Sequence, residues 1–342
     1  MNIKDNQVAL GTQRLSVEQL QRWEALKFGM FICFGMSTYV GAELPSGDDP
    51  STLYAPDKLD VDQWVCVARD AGMKYAVLTT KHVAGHCLWP SKHTDYHVGT
   101  SSNKTDVVEA FVKACEKRGV LPGLYYCSWD NHHRFGSHTM TDALPFEKSL
   151  RAANPVYWGG VQLSFTTRRY QDFQTAQVEE LLTQYGKIAE VWIDIPSVLP
   201  RCYRQELYDR IAELQPEALV MMNNGACDGS DYQIDKAWPA DLIAIERFLP
   251  NSHTGHVKWR EIEGKKYYIP GEVCDPIGKE WFFTEDDRPR SDAELLGMYL
   301  VSVSRGANLL LSVGPDMHGL VPEKYTAALQ RLRANIDNLG LG

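Results

Sequence analysis

Thr105-Asp106-Val107-Val108-Glu109-Ala110-Phe111-Val112-Lys113-Ala114-Cys115-Glu116-Lys117-Arg118-Gly119-Val120-Leu121-Pro122-Gly123-Leu124-Tyr125-Tyr126-Cys127 is the stretch that decides the fold. Val107, Val108, Phe111, Val112 and Cys115 recur at helical spacing, so Thr105–Arg118 reads as an amphipathic helix. Gly119 falls at its C′ position, where a left-handed residue ends the helix cheaply. Leu121–Cys127 then reads as a strand of aliphatic and aromatic residues. A helix that hands over to a strand through one glycine is a piece of a repeating β/α pattern.

Seven further runs have the character of that strand: Phe28–Phe34, Tyr75–Thr80, Ala189–Ile195, Leu219–Asn223, Leu242–Phe248, Tyr267–Val273 and Asn308–Val313. Several are continuously apolar, as strands covered on both faces are. Helical periods separate them at Asp62–Ala71, Phe173–Tyr185, Tyr203–Leu214, Asp292–Ser304 and Pro322–Asn338. Eight strands alternating with helices predict an α/β fold, a (β/α)8 TIM-like barrel, in preference to a doubly wound sheet. Arg247–Lys266 shows no clean helical period, so one or two degenerate helices are expected. The expected division is an N-terminal extension, 1–20, and one catalytic barrel domain, 21–342.

The chain carries 35 basic against 44 acidic side chains and no Lys/Arg run, which argues against nucleic acid, whose phosphates must be neutralised. No apolar run approaches the roughly 20 residues that span a bilayer, and the first 20 residues hold no apolar signal core. Eight cysteines form no C-x-x-C pair, and several sit inside apolar runs, the pattern of buried reduced thiols. A cytoplasmic protein is expected, with its oligomeric state open. Phosphate-binding glycine motifs do not occur, so no cofactor is expected.

In such barrels the chemistry lies at the carboxyl ends of the strands. Asp194 interrupts Val191-Trp192-Ile193-Asp194-Ile195-Pro196, and Glu246 ends Leu242-Ile243-Ala244-Ile245. A carboxylate among such neighbours costs several kcal/mol unless it is hydrogen-bonded or used. A single one is most simply a buried acid paired with a barrel Arg or Lys. Two, projected to one face rich in Trp and His, are the equipment of glycoside hydrolysis.

Several motifs, in one order and spacing, then become specific. They are Lys27-Phe28-Gly29-Met30-Phe31-Ile32, the Asp49-Pro50-Ser51 to Gln63-Trp64 stretch, Leu78-Thr79-Thr80-Lys81-His82 running into Cys87-Leu88-Trp89-Pro90-Ser91, Gly123 to Asp130, Glu190-Val191-Trp192-Ile193-Asp194, Gly271-Glu272-Val273-Cys274 with Trp281, and Gly306 to Pro315. From about Trp23 to Leu339 the chain resembles the α-L-fucosidases of retaining glycoside hydrolase family 29, in the branch acting on α-1,3/1,4-linked fucose. The resemblance implies a retaining exo-glycosidase with Asp194 as nucleophile, a small-molecule or oligosaccharide substrate, and no metal. Family members often carry a C-terminal β-sandwich; none is expected here. The acid/base is expected at Glu246, with Glu272 as runner-up. Glu43 matches a sugar-binding position, although Leu44 stands where the family usually has Trp. His82 is expected to bind a sugar hydroxyl, and Glu272 and Trp281 to line the substrate site; Tyr126 and Trp129 are candidates for the same site or for packing the barrel mouth, and Asn224 for sugar contact or for a turn with Gly225. Glu261 and Glu263 read as solvated loop charges.

Three departures concern the sugar. Cys33 replaces the family's first-strand His, and Val83-Ala84 replace a His-Asp pair. A site that bonds a particular hydroxyl rejects analogues lacking it, so these losses point to an altered glycone. They also leave open a carbohydrate-binding barrel without turnover. A thiol enzyme built on Cys33 would need a positioned base. His132-His133 with His138 looks like a metal tract, but no further ligand completes a recognised spacing.

Overall fold

The computed structural model describes residues 8–133 and 166–341. Its strands in chain order are β1 (Phe28–Ile32), β2 (Tyr75–Lys81), β3 (Leu121–Cys127), β4 (Glu190–Asp194), β5 (Leu219–Met222), β6 (Ile243–Glu246), β7 (Trp259–Ile262), β8 (Lys265–Tyr268), β9 (Gly271–Pro276) and β10 (Ala307–Ser312). Eight form one parallel sheet, in the order β5-β4-β3-β2-β1-β10-β9-β6. A bridge from Met221 to Leu242, with Asp241 N–H donating to Val220, brings the two outer strands together and all but closes the cylinder. The expected (β/α)8 barrel is what forms.

The opening stretch behaves as read. Asp106 caps the helix Val107–Arg118 through a side-chain bond to Glu109 N–H, and Gly119 ends it at φ 68°. Val107, Val108, Phe111 and Cys115 are buried against the barrel. Further helices at Val61–Asp70, Arg168–Gln184, Arg201–Leu214, Asp292–Ser304 and Glu323–Asn338 cover the other strands. Between β5 and β6 there is only the short helix Ile234–Ala237, and between β6 and β9 the antiparallel hairpin β7–β8. That hairpin accounts for the missing helical period. It also divides the expected strand Tyr267–Val273: Tyr267 belongs to β8, Pro270 intervenes, and the barrel strand begins at Gly271.

At the N-terminal side, the helix Val17–Glu24 crosses the expected boundary at residue 20 and starts with a capping box between Ser16 and Gln19. Arg14 pairs with Asp241 just ahead of β6. Residues 10–24 are therefore joined to the barrel wall.

Register sets the interior. Gly29 is level with Tyr75, and Ala244, Glu272 and Asn308 are level across β6, β9 and β10. Nearer the carboxyl ends, Thr79 is level with Tyr125 and Tyr125 with Trp192. Successive residues point to opposite faces, so these sets form stacked layers inside the cylinder. A Cβ at Gly29 would lie 2.6 Å from the ring of Tyr75; glycine is what lets that ring cross the lower layer.

Candidate active site

β4 ends on Asp194 and β6 on Glu246. Asp194 Oδ2 accepts a 2.6 Å bond from the Tyr125 phenol, and its Oδ1 accepts a 2.8 Å bond from Asn223 Nδ2. The same amide nitrogen donates to Glu246 Oε2 at 2.8 Å. One NH2 group thus bridges the two acids, whose bridged oxygens lie no more than about 5.6 Å apart.

The backbone turns sharply behind both. Four non-glycine residues in the described chain have positive φ, and two of them, Ile195 (47°) and Arg247 (62°), directly follow the two carboxylates. A β-branched residue in that region costs about 1–2 kcal/mol, a strain that concentrates at functional sites. The kink ends each strand on its acid.

Burial pushes the Asp194 carboxyl above its usual range, opposed by the donors Tyr125, Asn223 and the Ile195 N–H. Burial raises Glu246 too, to about 7, with help from the charge of Asp194 and against the Asn223 bond. One acid is thus surrounded by donors that favour its anion, and the other holds its proton near neutrality. That split is what an acid and a nucleophile require of two carboxyls in one site.

The acids face a small, half-open pocket at the mouth of the barrel, with about 380 Å³ of space that includes open solvent. Phe31, Trp192 and Trp281 wall it; the Phe31 ring centroid lies 5.4 Å from that of Trp192 and 6.1 Å from that of Trp281. His82 lines it as expected, stacked on Tyr125 and edge-on to Phe282. Burial pushes its imidazole down to about 3, so it is neutral and able to donate or accept. Glu43 reaches the same pocket, its carboxyl raised by burial and eased by Arg247. Trp281 carries the Arg247 guanidinium 4.7 Å from its ring centroid.

Four expected site residues lie elsewhere. Tyr126 is buried on the outer face of β3, bonded to Gln177 at 2.8 Å with the Lys81 ammonium over its ring. Strand alternation sends Tyr125 inward instead, and Tyr125 is the phenol that holds Asp194. The same one-residue slip separates Asn224 from Asn223: Asn224 builds the loop after β5 through Asp231 and Gln233, while Asn223 bridges the acids. Trp129 is buried and donates to Asn131 at 2.7 Å.

Glu272 is fully buried in the layer below the pocket, accepting from Tyr75 at 2.6 Å and from Trp192 Nε1 at 3.0 Å. Burial raises it to about 7; burial and the Glu272 charge push neighbouring Glu190 well above its usual range. It supports the back of Trp192 and does not line the pocket.

Cys33 does line the pocket, with its Sγ accepting from Ser312. Burial pushes that thiol up to about 12, which leaves no thiolate for nucleophilic chemistry. Of the histidine tract, His132 bonds Gly47 and stacks on Tyr96, and His133 bonds Asp130 and Thr94; His138 lies outside the described residues. Glu263 is an exposed partner of Arg201.

The chain is thus one of the (β/α)8 barrels that carry a carboxylate pair bridged by one amide at the carboxyl ends of their strands, beside an aromatic pocket. The chain belongs to the α-L-fucosidase family, whose model matches residues 48–338. It is 29% identical over 333 residues to α-L-fucosidase 1 of Arabidopsis thaliana, covering 92% of this chain and 58% of that protein. The chain thus spans less than two thirds of that relative's length. The structure of α-L-fucosidase isoenzyme 1 from Paenibacillus thiaminolyticus superposes with a TM-score of 0.73 at 28% identity, over 94% of this chain and 76% of that one. The fold is shared also with α-L-fucosidase AlfC of Lactobacillus casei in complex with its α-L-fucose product, at TM-score 0.72 and 22% identity, over 94% of this chain and 99% of that one.

Proposed function

We propose that the protein is a retaining exo-glycosidase that hydrolyses terminal α-L-fucosides by double displacement. The observation that carries this reading is the Asn223 amide, bonded at once to Asp194 and Glu246. It supports a spacing near the roughly 5–5.5 Å of retaining pairs, short of the wider gap that admits a water in inverting ones. Glu246 gives its proton to the glycosidic oxygen as Asp194 attacks the anomeric carbon; the C–O bond breaks and a glycosyl ester forms. Glu246, now a base, takes a proton from water as that water attacks the same carbon and releases Asp194. No cofactor enters either step.

Replacing Asp194 with Gly tests the reading on 4-nitrophenyl α-L-fucoside. Turnover falls by a factor on the order of a thousand or more, and added azide restores release of nitrophenol with a β-fucosyl azide as product. Unchanged turnover in the variant removes Asp194 from the mechanism.

Cys33 in the pocket wall favours a second reading of the sugar alone. With a weakly polar thiol in place of an imidazole, the glycone is a relative of fucose with a different hydroxyl pattern or a bulkier substituent. A panel of aryl glycosides separates the two. Sugar binding without hydrolysis across that panel points to a non-catalytic binding barrel. Among the described residues no helix is long and apolar enough to cross a membrane. The buried thiols of Cys33, Cys87, Cys115, Cys127 and Cys274 support a reducing compartment, and we place the protein in the cytoplasm.

A further inference from the structure

A second cleft, of about 620 Å³, adjoins the catalytic pocket and shares Glu43, Trp281 and Phe282 with it. One bank is the segment after β1, from Ser37 to Glu43; the other is the segment after β9, from Glu280 to Thr284. Because the same three residues line both spaces, the cleft lies next to the space in front of Asp194, within reach of a group attached to a sugar held there. Resting on the fucosidase reading above, we infer that this cleft holds the leaving group, that it takes an uncharged, hydroxyl-rich sugar, and that Glu280 discriminates against anionic ones.

The lining carries the inference. Trp281, Phe282 and Phe283 supply ring surface of the kind that covers the C–H face of a pyranose. Glu43 and Glu280 are the ionisable side chains on it, and carboxylates accept hydroxyl hydrogen bonds while repelling sulfate, phosphate or carboxylate. Of the charges acting on Glu43, Arg247 comes first and eases its carboxyl, while Asp194 and Glu280 act against it, so Glu280 is felt as an anion at the junction. The cations nearby are committed elsewhere. Arg247 lies over Trp281, donates to the Lys279 carbonyl at 2.8 Å and sits 3.6 Å from Asp275. Lys324 lies against Phe283 and donates to the carbonyls of Glu285 and Asp287. Neither lines the cleft. Like-charge juxtaposition of this kind sets partner choice more than overall affinity.

The test uses two isosteric substrates, 4-carbamoylphenyl and 4-carboxyphenyl α-L-fucoside, whose leaving groups differ in charge. The ratio of their kcat/KM values in each variant is compared with wild type, which cancels intrinsic leaving-group reactivity. At low ionic strength wild type favours the carbamoyl substrate by about tenfold; Glu280→Gln shrinks the ratio severalfold and Glu280→Lys abolishes or inverts it. Salt at about 0.5 M compresses the differences. Glu285→Lys makes the same charge change on the same loop outside the cleft and leaves the ratio at its wild-type value. A ratio that ignores Glu280, or that moves equally with Glu285, overturns the inference. If wild type cleaves neither fucoside, the catalytic reading fails. The cleft is then judged from calorimetric binding of the same two compounds, with an equal affinity for both counting against it.

Discussion

Tyr125 donates its phenolic proton to Asp194 across adjacent strands, at 2.6 Å, while the register partner of Asp194 is Cys127, two residues further on. The diagonal works because the Tyr125 ring is held from two sides. It stacks on Trp192 at 5.6 Å and on His82 at 5.8 Å, so the hydroxyl is fixed before any substrate arrives. A hydrogen bond to a charged group is worth about 1.5–3 kcal/mol. Tyr125→Phe removes it and keeps the ring. We expect kcat to fall by roughly 10- to 100-fold with little change in thermal stability. Burial then acts on Asp194 with one opposing donor fewer, so its carboxyl rises further and the acid limb of kcat/KM moves to higher pH. A kcat within twofold of wild type contradicts this role.

Glu246 must be protonated to serve the leaving group, and its carboxyl is raised to about 7. Activity is therefore expected below that value and lost as pH rises through it, with the alkaline limb set by Glu246. Glu246→Gln flattens that limb. The loss depends on the leaving group. A sugar or alkyl alcohol needs the proton and slows by about 10²–10⁴-fold. 2,4-Dinitrophenol departs unassisted and is cleaved at near the wild-type first step. Equal losses on both substrates assign the acid to another residue.

What the sequence revealed and what it hid divide along one physical line. Strand existence, the helix end at Gly119, and the carboxylates ending β4 and β6 are local signals, and they are legible in the sequence. Facing is not. In continuously apolar strands such as β3 the two faces carry the same residue types, so period-two alternation leaves no mark. Tyr126 and Asn224 were therefore expected where Tyr125 and Asn223 stand, one residue away and on the opposite side. Counting back by twos from Asp194 selects Trp192, and register carries that parity to Tyr125. Glu272 misled for another reason. It lies early in β9, so it belongs to the layer beneath the pocket, and strand ends alone do not give depth.

Lys81 and Asp130 form an ion pair with neither side chain exposed, at 2.6 Å. Against the upward push of burial, His133 and Lys81 hold the Asp130 carboxyl far below its usual range. The pair anchors the segment after β3, where Asn131 donates to the carbonyl of Pro45 and so fixes the chain that carries Glu43. Removing one partner of a buried pair costs about 3–5 kcal/mol when nothing else compensates the charge; His133 still bonds Asp130, so the loss of Lys81 falls at or below the low end of that range. Lys81→Met should lower the denaturation midpoint accordingly, and any folded variant should show a raised KM through displacement of Glu43. A midpoint unchanged from wild type refutes the account.

Glu272 links stability to pH. Its folded-state carboxyl sits at about 7, above the roughly 4.3 of an unfolded chain. The folded state therefore holds this proton more tightly than the unfolded state does. The resulting stabilisation is complete below the unfolded value and disappears as pH rises through about 7, a change of up to a few kcal/mol. Glu246, raised in the same way, adds to the trend in the same window. Glu272→Gln retains an oxygen for Trp192 or Tyr75 and no longer titrates. Its melting temperature should exceed or match wild type near pH 8 and lose its advantage towards pH 5, so the two curves converge or cross on acidification. Parallel curves from pH 5 to 8 would show that the Glu272 proton is not part of the folded state's stability.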